Sequence, residues 1–131
     1  MSDQQLVTVI IERAGQEEDR REGLPVGEVE RLIMSMEGER DATVSVQLTE
    51  LEERAFVAVD AGHAFIGLER SDGVFQFARR NAGLTRTPFT IGGQETDIEV
   101  RYLVNIDTAA AIVREWLRNG EESSIGSWER Q

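Results

Sequence analysis

Between Ala42 and Ala78 the sequence keeps a period of two, interrupted at short intervals by turn residues, and this pattern constrains the fold more than any other feature. Ala42, Val44, Val46 and Leu48 alternate with Thr43, Ser45 and Gln47, the signature of a strand with one buried and one wet face. Arg54 to Val59 predicts another strand and Ala64 to Arg70 a third, separated by an Asp60-Ala61-Gly62-His63 turn. A Ser71-Asp72-Gly73 corner, with glycine where positive φ costs little, then leads into Val74 to Ala78. Strands in succession with such short links predict an antiparallel meander.

Helical periodicity flanks the meander. Pro25 and Val26 open a helix to about Met36, with Val29, Leu32, Ile33 and Met36 on one face and Gly38 as its stop. Its outer face carries Glu28, Glu30, Arg31 and Glu37. Asp107 is read as the N-cap of a second helix, whose Ala109, Ile112, Val113 and Trp116 form an apolar stripe and which Gly120 ends. A β-branched first strand is expected over Gln4 to Glu12, and the polar stretch Ala14 to Gly23 reads as a loop. Arg79 to Glu95 is irregular, with room for a short strand at Phe89 to Ile91. Ile98, Val100, Tyr102 and Val104 alternate as a late strand, and the tail from Ser124 to Trp128 reads as extended. The expectation is a single α+β domain over residues 1–131. It would have a mostly antiparallel sheet of about six strands and two helices packed on one face.

Composition narrows the chemistry. There is no cysteine, one histidine (His63) and no lysine, all fourteen basic residues being arginine. Thiolate nucleophiles, sulfur ligands, multi-histidine metal sites and Schiff-base lysines are therefore absent. Missing lysine on its own fits codon usage in a GC-rich bacterial genome. No cofactor is expected. His63 and the nearby Asp60 could form a general acid–base pair, but a tight turn also collects stray polar residues. The carboxylate runs Glu17-Glu18-Asp19, Glu52-Glu53 and Glu121-Glu122 read as solvated faces. Gly92-Gly93 lacks the further glycine spacing of a phosphate-binding loop.

The net charge is −11, from 25 acidic and 14 basic residues. Such a chain is a poor ligand for nucleic acid or anionic membranes and a better one for a basic protein, although acidic chains are often merely soluble. With no run of about 18 apolar residues and no basic, apolar leader in Met1-Ser2-Asp3-Gln4-Gln5, the expected compartment is the cytoplasm. Trp116, on the stripe, is expected in the core. Trp128 has no such stripe, so core packing is weighed there against a role as an interface anchor.

The residues of the C-terminal half resemble a known family. Val104-Asn105-Ile106-Asp107-Thr108-Ala109-Ala110, followed by Val113-Arg114-Glu115-Trp116-Leu117-Arg118-Asn119-Gly120-Glu121 and then Trp128-Glu129, is similar to the end of bacterial immunity proteins of the deaminase-associated class. In that family an alanine-rich amphipathic helix ends in an aromatic residue and a Gly-Glu, before a short tail with tryptophan. The hairpin from Ala64 to Phe77, around Asp72-Gly73, also looks like the family's central strands. The tail departs from the pattern, with Glu122-Ser123-Ser124 where such proteins often place a proline.

The resemblance implies a protein that neutralises a toxin domain, often a nucleic-acid deaminase, by binding it and without catalysis. The expected partner is a basic cognate toxin domain, with no direct binding of nucleic acid or membrane. Asp60, His63, Glu69 and Asp72, at and beside the turns of the meander, are the candidate toxin-binding residues. Trp116, Gly120 and Trp128 are assigned structural roles. Two further readings stay open: an unrelated acidic interaction module or DNA mimic, and a small enzyme or ligand carrier using an open sheet face.

Overall fold

The computed structural model describes residues 6–48, 53–79, 83–119 and 126–131. The helix ending at Gly120 and the strip Ser124-Ile125 therefore fall partly outside the described residues. The chain is α+β and every strand pair is antiparallel. It begins with strands β1 (Leu6–Arg13) and β2 (Asp19–Pro25), followed by helix α1 (Val26–Met34). The meander is β3 (Ala42–Gln47), β4 (Arg54–Asp60), β5 (His63–Arg70) and β6 (Gly73–Ala78). A hairpin of β7 (Arg86–Ile91) and β8 (Gln94–Glu99) follows, then β9 (Leu103–Asn105), helix α2 (Ile106–Asn119) and β10 (Ser127–Arg130).

Among the described residues the main sheet has eight strands, in the order β10-β6-β5-β4-β3-β1-β2 with β9 also on β5, and β7-β8 form a separate two-stranded sheet. Eight strands replace the six expected. The additional ones are short or exposed and so carry no alternating apolar signal.

The meander forms because its alternation places one side chain set inward. Val7, Val9 and Ile11 of β1 and Val44, Val46, Val57, Val59, Ile66 and Leu68 of the meander share one buried cluster with Val26, Val29 and Ile33 of α1. Ala109, Ile112, Val113 and Trp116 of α2 complete it, so both helices bury their stripes on the same side of the sheet. The other side is covered in part by the β7-β8 hairpin, where Phe89 packs with Ala58, Phe65 and Leu103. Coverage on both faces explains why β5 lacks clean alternation: Ala64, Phe65, Ile66 and Leu68 are all buried.

Three local readings are corrected. Ala14 to Gly23 is not one loop: only a short turn precedes β2, which pairs with β1. The strand is at the sheet edge and mostly exposed, so charged residues can occupy it, and Asp19–Arg21 and Arg20–Glu22 ion pairs line it. Opposite Thr8 this strand holds both Glu22 and Gly23, a bulge accommodated by Gly23 at φ +71°. Second, the late strand is broken: β8 ends at Glu99, a 3-10 turn takes Val100–Tyr102, and β9 begins at Leu103. The chain must there leave the hairpin and re-enter the main sheet. Third, α2 starts at Ile106 and Asn105 is its cap, the Asn105 Oδ1 accepting from the Thr108 N–H at 2.8 Å. Asp107 sits in the first turn, where it favours the helix dipole instead.

Candidate functional site

Meander topology decides where the candidate residues lie. Successive turns of a meander fall at opposite ends of the sheet. Asp60 and His63 pair across the β4-β5 turn, whereas Glu69 and Asp72 lie at the β5-β6 turn. Seven residue steps at about 3.3 Å separate the two ends of β5, roughly 23 Å. The four residues therefore do not form one loop-tip surface. The two turns are adjacent in sequence and not in space.

Three of the four candidates also have a local role. The Asp60 Oδ2 accepts from the Thr90 N–H at 3.1 Å, and the Asp41 Oδ2 accepts from the Gly93 N–H at 2.8 Å. These carboxylates pin the β7-β8 hairpin onto the sheet, which a count of acidic residues could not foresee. Glu69 is ion-paired with Arg54 on the neighbouring strand. At Asp72 the backbone carbonyl accepts from the Arg130 guanidinium, which also lies over the Phe75 ring. That guanidinium lies over Gly73, where the φ of +145° is what favours glycine. His63 is exposed and has no role of this kind.

Trp116 is fully buried, as expected. Trp128 is half-buried and meets Phe77 edge-on at 5.5 Å. Gly120 lies outside the described residues.

Register collects charge at one end. Arg13, Ala42, Val59, Ala64 and Val104 form one row across β1, β3, β4, β5 and β9. At or beyond that row stand Glu17, Asp41, Asp60 and Asp107, with Glu12 one residue inside it and Glu18 beside it, none of them in an ion pair among the described residues. Most arginines, by contrast, are engaged: Arg13 with Glu39, Arg54 with Glu69, Arg70 with Glu53, Arg101 with Glu129 and Arg114 with Glu30. An approaching molecule meets the carboxylates of this end more than the arginines.

The same end holds a cleft. One edge of β5 pairs with β9 over His63–Phe65 and with β6 over Gly67–Arg70. Where those partners part, a cleft of about 880 Å³ opens between Asp60, His63, Arg79, Phe89, Leu103 and Asn105. Phe77 and Val104 give it an apolar floor. The split in strand pairing creates the space, so no sequence motif marks it. Among the described residues no three His, Cys, Asp or Glu side chains converge to hold a metal.

A second polar cluster ties the 3-10 turn to the C-terminal strand. Glu129 accepts from the Tyr102 hydroxyl at 2.9 Å and from Arg101, which also binds Glu99 and lies 4.3 Å from the centre of the Tyr102 ring. The Tyr102 hydrogen bond, and secondarily that of Arg101, holds the Glu129 carboxyl below its ordinary value of 4.5. Burial, then the bond to Glu129, pushes the Tyr102 phenol above its ordinary 10.0. The depressed carboxyl adds stability that is complete above pH 4.5 and is lost as pH falls through the folded value. The raised phenol adds stability that is present below pH 10.0 and lost as pH rises through the folded value. Chemical denaturation at a series of pH values should therefore show Glu129→Gln flattening the acid limb and Tyr102→Phe the alkaline limb. Unchanged limbs would remove the cluster from the account of stability.

The class defined so far is an α+β protein with an antiparallel sheet and a cleft at a break in strand pairing. No protein-family model and no curated protein matches the chain. A solved structure, described as a hypothetical protein from Neisseria gonorrhoeae, is similar with a TM-score of 0.56 at 11% identity, covering 97% of this chain and 98% of that one. The likeness extends the fold to a second sequence and says nothing of activity. No helix among the described residues is long and apolar enough to cross a membrane.

Proposed function

We propose that this chain is an immunity protein that acts in the cytoplasm by binding and neutralising a cognate basic toxin domain. It does so by occluding the toxin's active site or substrate groove and catalyses no reaction itself. The charge distribution carries the reading: arginines are mostly tied up internally, while carboxylates without counter-ions gather at the end bearing Asp60 and His63. A nucleic-acid-handling toxin presents a basic groove, and complementary charge steers two proteins together. The assignment of that toxin as a deaminase rests on the C-terminal resemblance. Of the candidate contacts, Asp60 and His63 belong to this end. Glu69 is neutralised by Arg54, and Asp72 lies at the other end.

The test is binding to the C-terminal domain of a toxin encoded beside this gene. Exposed charges act mostly on association, so Glu17→Arg with Glu18→Arg should slow it about tenfold or more at low salt and leave the melting temperature unchanged. Asp72→Arg should have little effect, and added salt should slow the unmodified pair. Absence of a complex at micromolar concentration would sink the reading. A cleft of about 880 Å³ also favours a second reading, that of a small-ligand carrier. A metabolite that co-purifies with the protein, without any toxin complex, would put that reading first.

A further inference from the structure

We infer that the cleft between β6 and β9 receives an arginine side chain from the protein partner. The inference rests on the proposed role as a protein-binding domain and names the group that enters.

Its wall combines apolar surface with one anchored carboxylate. Phe89 and Leu103 are buried side chains of the second core, and they line the cleft beside Asp60. Asp60 spends one acceptor position on the Thr90 N–H at 3.1 Å. A carboxylate has about four acceptor positions, so most of its capacity is unspent among the described residues, and Asp60 lines the cleft. Holding by the hairpin also fixes its orientation, which lowers the entropy lost when a ligand binds it.

An arginine satisfies both parts of this wall. Its guanidinium presents paired donors to a carboxylate, and its methylene stem lies along apolar surface. Asn105 and Thr108 add polar positions on the α2 side of the opening. Arg79 at the rim donates one hydrogen bond to the Val100 carbonyl at 2.8 Å. The carboxylates at the same end of the sheet, Asp41 and Asp107 among them, favour approach of a cationic side chain over an anionic one. The partner's arginine would thus be a buried anchor within an interface steered by the surrounding acidic end.

The probe is N-acetyl-arginine methylamide, titrated into the isotopically labelled full chain and followed by amide chemical shifts. Its citrulline counterpart has nearly the same shape without the charge. The arginine compound should shift the amides of His63, Phe89, Asn105 and Thr108, with a dissociation constant on the order of 1 mM, the scale for a ligand of this size. Citrulline should bind at least about tenfold more weakly. Asp60→Asn keeps an oxygen for the Thr90 N–H and removes the charge, so it should weaken arginine binding about tenfold. Should that variant loosen the hairpin, His63→Arg tests the same point from an exposed position: a guanidinium on the residue paired with Asp60 should compete for that carboxylate and weaken binding about tenfold or more with the fold intact. Equal binding of citrulline, shifts confined to other surfaces, or unchanged affinity in His63→Arg would overturn the inference. A chain that binds a toxin domain and yet ignores the arginine probe would refute the anchor alone. Failure to bind any toxin, with arginine binding retained, would refute the immunity reading alone.

Discussion

Replacing Trp116 with alanine is expected to lower the unfolding free energy by about 3–5 kcal/mol, the range for deleting a buried indole. Trp116 lies at 1% exposure, and its stripe on α2 joins the single cluster that also holds α1 and the inward faces of β1 to β5. The cavity would open where both helices meet the sheet, so the surrounding side chains cannot collapse from one side alone. For a domain whose total stability is about 5–15 kcal/mol, the loss leaves a large unfolded fraction. Trp116→Phe should cost much less. It preserves most of the apolar volume and removes an indole N–H that is buried without a partner among the described residues. Equilibrium denaturation of the three proteins measures the differences. An alanine variant as stable as the parent would place Trp116 outside the core, and a toxin-binding defect in a fully stable variant would make it an interface residue.

Gly67→Val is expected to cost about 1–3 kcal/mol, occasionally more, because the position has no room for a side chain. Gly67 is on β5 and pairs with Phe56 of β4. A Cβ there would overlap the Cζ tip of the Phe56 ring. The ring covers the glycine and stacks on Phe65 at 6.3 Å, so valine must displace Phe56 and disturb that pair. A double-mutant cycle isolates this cause. Phe56→Ala alone exposes the strand and leaves a gap, while in the Gly67→Val background it makes the space that valine needs. The two changes together should therefore cost less than the sum of each alone, by more than about 0.5 kcal/mol. Simple additivity would show that the glycine is required for a different reason.

Elements whose side chains face a single covered side are legible in the sequence. The inward sets of β1 and β3, the stripe of α2 and the apolar face of α1 all follow from spacing. β3 begins at Ala42, as its alternation predicts, and α1 begins at Val26 behind Pro25. Strands stabilised mainly by their backbone ladder were not legible. β2 is charged and exposed, β8 is polar over most of its length, and β9 has three residues. Backbone pairing leaves little trace in side-chain type, which is why the sheet came out wider than expected. Asn105 and Asp107 suit the cap of α2 equally well by chemistry. Only the point at which β9 hands over to the helix separates them.

By itself the sequence determined an α+β fold, an antiparallel meander, two amphipathic helices and the excess of acid over base. Each of these depends on residue type and local period, which are one-dimensional properties. Tertiary structure decided that Asp60 and Asp72 stand at opposite ends of β5, since alternate turns of a meander must face opposite ways. It decided that Asp60 and Asp41 hold a hairpin lying across the sheet. It also decided that β5 divides one edge between β6 and β9, and so where the cleft opens. Those outcomes depend on which distant segments complete each other's hydrogen bonds, and no local pattern of side chains encodes that choice.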